Sequence, residues 1–160
     1  MKLFLTITSI LILSFIGNSQ SATFKKHSPG QFSIELPVEM KLSKMYDQSS
    51  PDYSDFEVKL KDGYVIMELH SLINSRFEHS NTIKELYDAA LNSSKLDITY
   101  KMTSSNYFVI SGFNKENGNI VYWKRVLGEN FVSDMHIEYS KARKTDIEQH
   151  IGKNAKSFTS

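Results

Sequence analysis

Two pairs of side chains carry the sharpest chemical possibility in this sequence. Glu68 and His70 stand two residues apart, and His136 and Glu138 repeat that spacing in a second segment. Both segments alternate like strands, so each pair would lie on one face. Were the two strands neighbours, two imidazoles and two carboxylates of metal-ligating type could converge. A small metal-dependent enzyme would follow from that arrangement. A plainer reading explains the same spacing. Met67 and Leu69, with Met135 and Ile137, would fill a buried face, leaving Glu68, His70, His136 and Glu138 to solvent or to a covering helix. Of the remaining histidines, His27 and His79 sit in turn-like contexts and His150 adjoins Ile151 in a helical segment.

A binding reading attaches to Trp123 and Arg125, which share a face of one strand while Tyr122 and Lys124 share the other. An exposed tryptophan beside an arginine would suit a protein or glycan partner; the alternative is that one of the aromatics is core. Tyr46, Asp47, Asp52, Tyr53 and Asp55 surround Ser49-Ser50-Pro51 and read as a polar connection or a recognition loop.

Other chemistries lack their residues. There is no cysteine, no Gly-x-Ser-x-Gly elbow and no Ser-x-x-Lys pair. The 7 glycines are spread singly, without a phosphate-cradling loop, and no cofactor is implied. Lys and Arg total 19 against 18 Asp and Glu, and the signs are interspersed. Such a balance lacks the basic footprint that nucleic acid requires.

The elements that must position these residues are mostly strands. Phe32, Ile34 and Leu36 alternate with polar residues up to Pro37, and Asp52 to Leu60 alternates again, with Phe56, Val58 and Leu60 inward. Lys61-Asp62-Gly63 is a hairpin turn leading to a return strand, Tyr64 to Leu72. Ile83, Leu86, Tyr87, Ala90 and Leu91 then recur at helical spacing behind a Thr82–Glu85 capping box. Strands follow at Asp97 to Thr103, Tyr107 to Phe113, Asn119 to Leu127 and Phe131 to Tyr139, with Asn117-Gly118 as a turn. A last helix is predicted from Thr145, capped by Thr145 and Glu148 and buried through Ile147, Ile151, Ala155 and Phe158. Hairpin-linked strands with two packed helices predict an α+β domain on an antiparallel sheet.

The first 22 residues read as a cleavable signal peptide. Lys2 precedes an apolar stretch from Leu3 to Ile16, and a small polar tail ends at Ala22. Cleavage is expected between residues 19 and 22. The apolar run falls short of the ~20 residues of a spanning helix, and without cysteine no lipid attachment site exists. The expected product is a single domain, residues 23–160, free of membrane insertion in the periplasm or outside the cell.

The residues also resemble a family. His27-Ser28-Pro29-Gly30-Gln31-Phe32-Ser33-Ile34-Glu35-Leu36-Pro37 is similar to the opening strand of PsbP-like domains. Asn106 to Gly112, Gly118 to Tyr122, Ile137-Glu138-Tyr139, and the close from Asp146-Ile147 and Ile151 to Ser157-Phe158 fit as well. One position departs: such domains often carry a tryptophan shortly after the first Leu-Pro, where this chain has Met40. The resemblance implies an α/β/α sandwich with a central, mostly antiparallel sheet and two main helices. It further implies a non-catalytic binding or assembly-stabilising module, whose partner would be a protein or envelope component. No partner-binding residue is carried by a matching motif.

Overall fold

The computed structural model describes residues 22–46, 52–74 and 82–160; the expected signal peptide up to residue 21, Asp47 and His79 lie outside them. A hairpin of β1 (Phe24–His27) and β2 (Ile34–Pro37) precedes β3 (Lys41–Lys44), β4 (Tyr53–Lys59) and β5 (Val65–Ile73). Helix α1 (Ile83–Ser93) leads to β6 (Leu96–Thr103), β7 (Tyr107–Asn114), β8 (Ile120–Leu127) and β9 (Phe131–Tyr139). A 3-10 turn, Lys141–Arg143, then opens into α2 (Lys144–Ser157). Seven strands form one sheet in the order β3-β4-β5-β9-β8-β7-β6, and each neighbouring pair is antiparallel. The α+β class predicted from periodicity is therefore met. Strands β1 and β3 were not signalled by the sequence, because four residues of mixed lysine and apolar character show no alternation long enough to read.

Alternation divides the sheet between two apolar clusters. Met67 and Leu69 of β5 and Met135 and Ile137 of β9 pack with Ile34 and Leu36 of the hairpin and with Ile147, Ala155 and Phe158 of the α2 segment. Residues of the opposite parity, Phe108 and Ile110 of β7 and Val132 of β9, pack with Leu86 and Ala90 of α1. Helix α1 begins as predicted. The Glu85 carboxylate accepts from the Thr82 N–H at 2.7 Å, and the Glu85 N–H donates to the Thr82 hydroxyl at 3.3 Å.

Helix α2 corrects its prediction. It starts at Lys144, and Arg143, without a side-chain cap, holds the N-cap position. The preceding 3-10 turn carries the chain into the helix early, moving the cap from the expected Thr145 to Arg143 and placing Thr145 inside the first turn. Glu148 instead accepts from the Tyr139 hydroxyl at 3.2 Å.

The far end of α2 is held from the sheet. Lys124 is buried, and its ammonium donates to the carbonyls of Ala155 at 2.6 Å and Phe158 at 2.9 Å. A cation here satisfies carbonyls that a helix C-terminus leaves without partners and complements the negative end of its dipole. Burial pushes the Lys124 ammonium below its ordinary pKa, and the two carbonyls offset part of that cost. Beside it, β7 meets edge strand β6 closely. A Cβ on Gly112 would stand 2.1 Å from the Asp97 carbonyl oxygen, next to the register shift at Ile98/Tyr100.

Lys124→Ala should lower unfolding free energy by about 2–4 kcal/mol, since two buried carbonyls lose their donor. Urea unfolding with and without the substitution measures this; an unchanged midpoint would show that α2 is held by apolar packing alone.

Candidate functional site

Strands β5 and β9 are neighbours, and their register brings the four residues singled out in the sequence to one face. Glu68 lies opposite His136, and His70 opposite Asp134. On the flanks, Asp55 of β4 faces His70, Glu57 faces Glu68, Arg125 of β8 faces Asp134, and Trp123 faces His136. Two adjacent rows therefore cross four strands: Asp55–His70–Asp134–Arg125 and Glu57–Glu68–His136–Trp123.

Within the first row the carboxylates organise the bases. An ionised carboxylate can only accept, so His70 Nδ1 donates to Asp55 Oδ1 at 2.8 Å. Its Nε2 stands 3.5 Å from Glu68 Oε2. Asp134 takes three donors: Trp123 Nε1 and Arg125 Nε on Oδ1, and Arg125 Nη2 on Oδ2, each at 2.7 Å. The arginine contact is a side-on fork, the geometry in which a guanidinium and a carboxylate match best. The guanidinium also lies 5.0 Å from the Trp123 ring centroid. Tyr53, Asp55, His70, Leu72, Arg125 and Asp134 line a cleft of about 270 Å³ over this row.

Trp123 is not the exposed anchor that its sequence context allowed. It is half-buried in the α1 cluster, its ring meeting Phe108 edge-on at 5.5 Å, with its N–H consumed by Asp134. Arg125 shares its face, as strand parity requires, but its head is tied to the same carboxylate.

One same-face step further along β9, beyond the second row, Glu138 lies opposite Val121 of β8 in a different environment. Glu138 Oε1 accepts from the side-chain amides of Asn114 at 3.3 Å, Asn117 at 2.8 Å and Asn119 at 2.9 Å. Those asparagines surround the β7–β8 turn, where Gly118 adopts φ +72°, a backbone region that suits glycine. Burial raises the Glu138 pKa, but the bonds from Asn117, Asn119 and Asn114 and the nearby His136 outweigh it and hold the carboxyl below the ordinary range. His136 is depressed: burial disfavours its charged form more strongly than Glu138, Glu68 and Asp134 favour it, and His70 adds to the depression.

The four residues thus share a face without sharing a centre. Among the described residues, no three His, Asp or Glu side chains group as a metal-ligand set. His70 turns toward Asp55, and Glu138 is held by amides. Asp134 was not singled out in the sequence as a member of the site. Asp134 has the parity of His136 two residues away, a signal that was present; Asp55, named with the polar connection around Ser49-Ser50-Pro51, lies inside β4, within the strand expected from Asp52 to Leu60. His27 ends β1, and His150 packs against the Phe24 ring at 6.2 Å.

No protein-family model matches the sequence, and no curated protein is detectably similar to it. Among solved structures, cyanobacterial PsbP (CyanoP) from Synechocystis sp. PCC 6803 superposes with a TM-score of 0.50 at 13% identity, covering 91% of this chain and 97% of its own. The chain has the PsbP-like fold. The Ran-binding protein Mog1p of Saccharomyces cerevisiae gives a TM-score of 0.48 at 12% identity, over 86% of this chain and 95% of its own. The PsbP-like fold implied by the sequence resemblance is thus found in three dimensions, while the polar rows described above are read from this chain alone.

Two measurements check the site. The His136 ring should titrate below the free-histidine value of 6.5 in two-dimensional NMR. Because its folded pKa is depressed, its contribution to stability is intact above the unfolded pKa and is lost as pH falls through the folded one; a midpoint above 6.5 would contradict the burial argument. Asp134→Asn should cost about 1–3 kcal/mol by leaving Arg125 poorly paired and should red-shift the fluorescence of Trp123, the one tryptophan in the chain.

Proposed function

We propose that this chain is an exported, non-catalytic binding module of the bacterial envelope, an α/β/α sandwich that engages a protein or envelope component. The observation that carries this reading is the cleft over Asp55, His70, Asp134 and Arg125. Its polar side chains are fixed by one another, so they present a pre-organised surface whose ordering cost is met before any partner arrives. The PsbP-like fold and the signal-like first 22 residues support the same reading. Among the described residues no helix is long and apolar enough to cross a membrane.

The competing reading, a metal-dependent enzyme using Glu68, His70, His136 and Glu138, has less support, since His70 is bonded to Asp55 and Glu138 is held by Asn114, Asn117 and Asn119. Stoichiometric zinc in purified protein, lost on His136→Ala, would restore it.

Crosslinking in intact cells followed by affinity capture tests the module. One partner should be recovered in near-stoichiometric yield from the periplasmic or secreted fraction and should be lost with His70→Ala. N-terminal sequencing of the same material should begin between residues 20 and 23. Recovery of no partner, or equal capture by the variant, would count against the reading.

A further inference from the structure

Beside the Arg125 cleft, a second cavity of about 360 Å³ opens where the C-terminal end of α1 meets the sheet. One side is apolar, made by Trp123, Val121 and Leu96; the other presents Ser94, His136 and Glu138. Its volume lies in the range of small-molecule pockets, and so does its design of an apolar wall with few polar groups. The Lys95 ammonium at its margin is drawn outward to Glu116 at 2.6 Å.

The polar groups here are notable for what they leave open. The Ser94 hydroxyl is buried and, among the described residues, takes part in no hydrogen bond. Asn114, Asn117 and Asn119 all converge on Glu138 Oε1, which leaves Oε2 for another donor. The neutral imidazole of His136, flanked by Glu68 and Glu138, offers one ring nitrogen as an acceptor. A carboxylate oxygen, an imidazole nitrogen and a hydroxyl oxygen are three acceptors beside an apolar wall.

We propose that this cavity binds a primary alkylammonium group. Its three N–H donors would be shared by Glu138 Oε2, the His136 ring and the Ser94 hydroxyl, and its alkyl chain would lie on Trp123, Val121 and Leu96. The ionised Glu138 supplies the charge and disfavours anions, while an uncharged His136 does not repel the cation. A neutral alcohol of equal length has a single O–H donor in place of three N–H donors and no charge. The ammonium could belong to a free amine or to a lysine side chain of a partner; the inference rests on the binding reading of this face and names the chemistry that it selects.

Titration of the full chain with pentylamine, followed by Trp123 fluorescence and by NMR of Trp123 and His136, tests this directly. Saturable shifts at both residues are expected, with pentanol and trimethylpentylammonium binding at least ~10-fold more weakly, as loss of one charge-assisted contact implies. Glu138→Gln should weaken pentylamine by about 10-fold or more, and Ser94→Ala by roughly 2- to 10-fold without lowering the unfolding midpoint. A lysine peptide that binds more tightly than pentylamine, and loses that advantage on acetylation, assigns the group to a partner; equal affinity assigns it to a free amine. Pentanol binding as well as pentylamine, or no shift at Trp123 and His136, overturns the proposal. Loss of partner capture on His70→Ala alongside a silent amine titration would overturn this inference and leave the module reading intact.

Discussion

The central strand of the sheet carries two incompatible jobs, and the pleat of its backbone keeps them apart. β9 is fourth of seven strands, with β5 on one side and β8 on the other. Its odd residues, Met135, Ile137 and Tyr139, are buried at 0%, 0% and 1% exposure in the α2 core. Its even residues, Asp134, His136 and Glu138, lie on the opposite face, the first two within the polar rows. A register slip of one residue would exchange the two sets. Burying those side chains without their partners would cost several kcal/mol or more, so the register that builds the core also builds the site.

Two further contacts hold that arrangement in place. Lys124 fastens the last turn of α2 to β8, across the sheet from its neighbours Trp123 and Arg125. Asp134 draws Trp123 and Arg125 toward β9 on the other side. One strand therefore alternates between locking a helix and shaping a cleft. Arg143 pairs with Asp62 at the β4–β5 hairpin and lies 5.0 Å from the Tyr64 ring centroid, tying the start of α2 to the same sheet.

Much of this was legible in the residues. Period-two patterns located β4, β5, β7, β8 and β9 within a residue or two, and the Thr82–Glu85 box marked the start of α1. That Glu68 shares a face with His70, and His136 with Glu138, followed from spacing; that the two pairs meet on one face came from the pairing of β5 with β9. What spacing could not supply was the third dimension: which carboxylate each base would choose. Asp134 and Asp55 become partners through strand order, a non-local fact, and Trp123 becomes half-buried because α1 folds over it. The α2 cap failed for a local reason, the 3-10 turn that moves Thr145 past the cap position. Short β1 and β3 carry too few residues for a period to show.

On the proposed reading, the polar face of β4, β5, β9 and β8 meets the partner. A photo-crosslinking residue placed at Tyr53, beside the Arg125 cleft, and in a second variant at Tyr100, exposed on edge strand β6, would decide it in intact cells. A discrete adduct is expected from position 53 and none from position 100. An adduct from position 100 alone would place the partner on the other part of the sheet and contradict it.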